Sequence, residues 1–488
     1  MTRRLSVALL LALVTTLVLA ACGGAPAAQP TSAPAAPTAA PAAAEPTAVP
    51  AATEAPAASE AAAEPTAAPA AGGATTEDLR VSSSGFQGTL SYWVLGFTPG
   101  NQFATPMEQA VAKFEEANPG IKVELIGYPP NDEGFVRLTT AVQTGQGVDV
   151  LRLPSDRLLG YVAEGLIAPI DPYMTESDRA DFYPNVLDVV RVGDDDQAYA
   201  WPLWVVPMGM YLNVDVFEER GVPLPPKDWT WDQFVETAKQ LTFTRDNGEQ
   251  VYGWAGFVDP GVINTWPMFM NESPDVRPLV DNNTRFGFDT PEATAAIQRF
   301  ADLALVHKVT PPDFGAMADS DVKGGFTNGQ IAMIIDATGP AAQFRADGVN
   351  FEIYPIPTVN GNTTVTAGAV GLIAVVDTED EARKQAAMDL ARYLTSNAVQ
   401  EDVPPSETAP VGFYLAPGAR QSVQVAPPLD EFLPFVEYMY VTPIIRPWSE
   451  FTRLVHPALQ NVIFGEQTAE EAMAEIAPEV NALLAEDQ

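Results

Sequence analysis

Residues 199–226 read YAWPLWVVPMGMYLNVDVFEERGVPLPP, and the fold turns on them. The stretch opens with a nearly unbroken apolar run, 200–212. Such a run forms a strand covered on both faces, or backbone shared by two cores. Pro202 and Pro207 stand at a spacing that no interior helix tolerates, which predicts extended and bent chain. Residues 213–220 then read as a short helix, with Asp215 as N-cap and Gly221 as its stop. Thr230 is placed to cap a further helix after the proline-rich VPLPPKDWTWDQF. These features predict that the chain leaves one lobe here and enters another. A ligand cleft is expected between the lobes, with Trp201 and Trp204 at its edge.

Upstream, residues 88–96 (GTLSYWVLG) read as a first strand. Residues 106–118 carry Met107, Ala110, Val111 and Phe114 at helical spacing, and Asn118-Pro119-Gly120 ends that helix. The alternating IKVELIGY at 121–128 is a second strand. Strand, helix, strand within so short a span is a βαβ unit with a parallel sheet. A helix over 135–144, a strand over 148–153 and a helix over 157–164 follow.

The N-terminus carries an address. Arg3 and Arg4 precede an apolar stretch, 5–21, in the form of a secretory signal (residues 1–21). It is too short, and too soon followed by Gly and Pro, to be a spanning helix. Leu19-Ala20-Ala21-Cys22 resembles a bacterial lipobox, which implies a lipid on Cys22. Cys22 is the only cysteine, so no intramolecular disulfide can form. Residues 22–77 are rich in Ala, Pro and Thr and nearly free of large apolar side chains. They predict an extended, disordered linker that holds the globular part off the membrane. The acyl groups, rather than a helix, would be the anchor.

The remaining length exceeds one ordinary core and suits two lobes. The chain has 63 acidic and 26 basic residues, a formal charge of −37. That balance argues against nucleic acid or an anionic membrane surface as a partner. His307 and His456 lie far apart without neighbouring cysteine, so neither a metal site nor a cofactor is expected. Walker, GxSxG and HExxH patterns are absent.

Three segments carry a resemblance: FEEANPGIKVEL at 114–125, GQGVDVLRLPSDRLLGYVAEGLIAPID at 145–171, and 199–242. It continues through GGFTNGQIAMIIDATGP, YPIPTVNGNTTVTAGAVGLIAVV and NVIFGEQTAEEAMAEIAPEVNALL. In order and spacing these resemble the family 1 extracellular solute-binding proteins of ABC importers, among them the maltose-binding proteins. The resemblance implies an α/β, two-lobe periplasmic-binding-protein-like fold of type II with a cleft between hinged lobes. It places the first lobe at 86–204 and 357–402, and the second at 205–356 and 403–488. It also implies a monomeric receptor on the outer face of the cell membrane, or in the periplasm, that delivers a carbohydrate to an ABC permease and is not an enzyme.

Sugars present apolar ring faces to Trp and Tyr and hydroxyls to planar polar groups. Candidate contacts are therefore aromatic and polar residues at strand ends. Trp93 lies near the end of the first strand, with stacking and core roles both open. Trp204 sits in the crossing run, where 205–208 is apolar at the place maltose-binding proteins hold a glutamate. Asp336 ends the strand 330–335 and can accept hydroxyls or hold its own turn. Gly368 would let backbone approach a ligand, and Trp448 would close the pocket from the second lobe. The resemblance adds Asp156 and Arg157, an Asp-Arg pair reached by sugar hydroxyls in maltose-binding proteins. It also adds Trp266 in a Thr-Trp-Pro at the cleft wall, where the preceding loop favours exposure. The aromatic that follows Gly-Pro in the family is Ala341 here. A non-sugar solute such as a peptide or polyamine is the alternative ligand. A surface carbohydrate-active enzyme is the rival class, but it needs a carboxylate pair that is not evident.

Overall fold

The computed structural model describes residues 79–486, apart from 101–103, 194, 259–262, 360–364, 405–415, 442–444 and 446. The signal sequence, Cys22 and the linker at 22–77 lie outside the described residues.

Strand β1 (Gly88–Leu95), helix α1 (Ala104–Ala117) and strand β2 (Ile121–Tyr128) form the expected βαβ unit. The strands pair in parallel from Gly88↔Ile121 to Leu95↔Tyr128. The helix buries Met107, Ala110, Val111 and Phe114 on one face, as their spacing requires. Helix α2 (Asp132–Gln143) leads to β3 (Val150–Pro154), which pairs with the other side of β1. A short helix α3 (Leu158–Ala163) and irregular chain then lead to β4 (Trp201–Pro207).

The apolar run at 200–212 proves to be two strands, one in each core. Trp201, Leu203 and Val205 of β4 belong to the first core. After Met208, β5 (Gly209–Asn213) puts Met210 and Leu212 into a second core and Tyr211 into a third cluster on its opposite face. Burial on both faces is why the run shows no alternation. Helix α4 (Val214–Arg220) follows and stops at Gly221, whose φ of +64° suits glycine. Its N-cap is Asn213, which accepts from the Val216 N–H at 3.3 Å, and not Asp215. The cap must have extended φ/ψ, and Asp215 already lies inside the first turn. Helix α5 (Trp231–Gln240) has the expected Thr230 cap, completed as a capping box by Gln233.

Helices α6 (Pro291–Leu305) and α7 (Asp319–Thr327) lead to β6 (Met333–Asp336) and β7 (Phe351–Tyr354). These two strands flank β5 in an antiparallel sheet, with Asp336 opposite Gly209 and Tyr354 opposite Met210. The chain then returns to the first lobe as the ten-residue β8 (Thr366–Val375). It runs antiparallel to both β3 and β4, so those two strands are parallel to each other. Helix α8 (Glu381–Leu394) packs under this sheet.

The last quarter departs from the expected boundary at 403. Val403, Ala419 and Val423 pack in the first core, and β9 (Met439–Val441) joins the first sheet beside β8. Between them, Leu429, Phe432 and Phe435 pack on the second lobe's Tyr211 cluster. Helices α9 (Trp448–Phe464) and α10 (Ala469–Ala485) close the second core. The chain thus passes between the cores at 206–209, at 357–369 and again within 424–445. Proline breaks the periodicity in that last span, which hides its divided loyalty.

Candidate functional site

Strands β1 to β4 all run the same way, so Leu95, Tyr128, Pro154 and Pro207 end at one edge of the first sheet. The second sheet turns its own edge toward the same junction: β5 starts there and β6 and β7 finish there. Carboxyl ends of strands in open α/β sheets leave a crevice, and here two such edges meet across the crossings. At the junction the Met208 N–H donates to the Ala367 carbonyl at 3.0 Å, and the Thr366 hydroxyl to the Met208 carbonyl at 2.6 Å. Two crossings are thereby tied side by side.

On the first edge, Trp204 is half-buried, and its indole covers Gly371 of β8. A Cβ on Gly371 would lie 2.2 Å from that ring, so only glycine lets it settle there. The Arg152 guanidinium stacks on the indole at 3.9 Å. Arg157 is exposed, with its guanidinium 4.5 Å from the Phe135 ring. Asp156 falls in a single 3₁₀ turn, Ser155–Arg157, directly after β3. Its side chain is not among those described. Trp93 is core: 6% exposed, with Arg137 over its ring at 5.0 Å. Trp201 is likewise fully buried and not at an edge.

Gly368 sits at the start of β8, but the space beside it is filled. Met439 Sδ lies 2.1 Å from where its Cβ would be. Its lack of a side chain serves the packing of β9, where the sequence suggested approach to a ligand.

On the second edge, Asp336 is 3% exposed and pairs with Lys323 at 3.4 Å. Burial pushes its carboxyl up to about 6, against the pull of Lys323 and of the Ala337 N–H it accepts. It is the one predicted second-lobe contact that stands at the junction.

Trp266 and Trp448 lie elsewhere in that lobe. The expected exposure of Trp266 is corrected: it is 0% exposed, ringed by Phe288 at 5.3 Å, His456 at 5.7 Å and Trp448 at 6.2 Å. Trp448 is the first residue of α9, is 8% exposed and stacks on Phe451 at 5.0 Å. A proline- and glycine-broken loop suggested an open wall. Five neighbouring rings draw the loop's tryptophan inward instead, because indole burial is among the largest single contributions to a core.

Sequence reasoning passed over Arg152 and Lys323. The first had a signal: VLRLP places a cation inside an otherwise apolar strand. Other hollows are walled by residues of a single lobe. That beside Asn213 and Glu219, for example, contains Arg245, bonded to Glu219 at 2.7 Å and Glu249 at 3.0 Å. Among the described residues no group of three His, Cys, Asp or Glu side chains is placed to hold a metal ion.

Comparison with known proteins agrees with this architecture. A Brucella abortus protein named as a binding protein is 22% identical over 386 residues, 77% of this chain and 89% of its own. The sugar-binding protein MalE of Xanthomonas citri superposes with a TM-score of 0.67 at 20% identity, covering 82% of this chain and 98% of its own. The ABC substrate-binding protein of Listeria monocytogenes, solved with cycloalternan, gives 0.63 at 20% identity over 82% and 100%. The family model described as bacterial extracellular solute-binding protein matches residues 100–401. With that match spanning more than half its length, the chain belongs to the bacterial extracellular solute-binding protein family.

Proposed function

We propose that the protein is a lipid-anchored receptor that captures a sugar or oligosaccharide between its lobes and passes it unaltered to an ABC permease. The observation that carries this reading is the meeting of two strand-end edges at a tied crossing, with Trp204 on one and Asp336 on the other. An indole for the ring face and a carboxyl for hydroxyls are the two kinds of group that sugar recognition needs. Asp156 and Arg157 follow β3 at the same edge and extend the polar set. Cycloalternan in the Listeria structure and the sugar-binding name of the Xanthomonas protein support the same class of guest.

Ligand selects the closed arrangement of the lobes, and the closed pair presents a joint surface to the permease. Isothermal titration against mono- and oligosaccharides, with tryptophan fluorescence in parallel, tests this. One-to-one saturable binding of at least one sugar is expected. Binding of peptides or polyamines alone would overturn it.

A further inference from the structure

Arg152 is a cation set in an apolar strand of the first lobe, and no carboxylate among the described residues pairs with it. Several other arginines of that lobe are held by an acid. Arg383 reaches Asp149 at 2.8 Å, Arg392 reaches Asp178 at 2.8 Å, and Arg420 reaches Asp178 at 2.9 Å. Arg152 instead lies against the Trp204 indole at 3.9 Å, and its Nε is buried without an acceptor. Loss of water holds the guanidinium below its usual pKa, with only the Tyr92 and Tyr128 hydroxyls acting in its favour. Tyr92 is fully buried, and its hydroxyl also has no partner.

Register explains how these groups come together. Tyr92 is opposite Val150, so Tyr92, Val150 and Arg152 share a face of the sheet. Arg152 is opposite Ile373 and Trp204 is opposite Gly371, two residues away along β8 on the same face. Arg152 is two residues from Pro154, where β3 ends at the cleft edge. The arrangement is therefore a guanidinium with an aromatic plate beside it, two residues from the cleft edge, with a buried tyrosine hydroxyl behind it. Arginine presents a planar fork that matches carboxylate and phosphate oxygens, and stacking on an indole fixes the plane of that fork. A half-buried cation in a strongly acidic chain, left without an acid among the described residues, is suited to an anion from outside.

We propose that Arg152 reads an acidic group on the ligand, so that the receptor prefers a sugar bearing a carboxylate or phosphate to its neutral counterpart. This rests on the reading of the cleft as a sugar site. Trp204 orients the guanidinium toward that anion.

The test titrates the whole receptor with glucuronate, glucose 6-phosphate and glucose, and with longer uronate and neutral oligosaccharides. In the wild-type protein an acidic sugar is expected to bind at least about 10-fold tighter than its neutral counterpart, and to weaken with salt. The carboxylate and phosphate arms distinguish the two sources of charge. Arg152→Met lowers the ratio of acidic to neutral affinity roughly 30-fold or more, and Arg152→Lys restores part of it. Arg152→Met melts no lower than wild type, since it removes an unpaired buried charge. Equal affinity for acidic and neutral sugars overturns the proposal and leaves the receptor reading standing. So does a fall in melting temperature with no change in selectivity, which marks Arg152 as a brace. Failure of every sugar to bind overturns both.

Discussion

At the scale of single residues, two buried titratable groups act with opposite signs. His456 is 1% exposed, and burial pushes its imidazole down to about 4 from an ordinary value of 6.5. The fold therefore prefers neutral His456, and the stability this residue permits is present above pH 6.5 and lost as pH falls toward 4. The loss approaches about 3 kcal/mol over that window. Asp336 is raised from 3.8 to about 6 by burial, so the stability of its protonated form is lost as pH climbs between those values. His456→Phe is expected to flatten the acid limb of stability between pH 6.5 and 4 and to leave the limb governed by Asp336. Urea denaturation across that range measures it, and an unchanged acid limb would show that His456 is not responsible. The residue scale was also where the sequence was least legible. Trp266 and Trp448 bear the right chemistry for sugar stacking, but exposure depends on which distant aromatics arrive beside them, and local pattern does not encode that. Arg152 was legible as an anomaly in VLRLP, but its stacking partner is some 50 residues away in sequence and meets it only through the shared strand β8.

At the scale of elements, the sequence was far more informative. The βαβ unit, the Gly221 stop and the Thr230 cap each rest on rules that act within a few residues, and the structure has all three. The cap of α4 moved from Asp215 to Asn213 because both residues are good caps and only the strand's exit angle decides between them. Register is the element-scale property that the sequence did not disclose. It places Gly371 under the Trp204 ring, and a register shift falls between Gly371 and Leu372. Gly371→Ala is therefore expected to push the indole off the sheet and to destabilise the first lobe by about 1–3 kcal/mol. Thermal denaturation together with a shift in tryptophan emission reads both effects. A stability loss without a spectral change would mean that the strand gave way and the ring stayed in place.

For the whole molecule, the N-terminal address and the globular part make separable predictions. If Cys22 carries the lipid, Cys22→Ser is expected to move the protein from the membrane fraction to the soluble fraction of cells and to leave ligand affinity unchanged. Retention of the variant in membranes would overturn the anchor. The two-lobe plan was readable from composition, length and the junction at 199–226, but the contribution of 416–441 to both lobes was not. That segment has no sustained period of its own, because its residues answer alternately to two cores. The interleaving has a consequence for biosynthesis. The first sheet has six strands, and two of them, β8 and β9, come from beyond residue 365. When a ribosome has delivered the first 300 residues, that sheet still lacks its central member, and β3 and β4 have bare edges where it will insert. The nascent half-receptor is thus an open template for strand addition by other chains, and it stays so until about three quarters of the chain has been made and β8 (Thr366–Val375) is available.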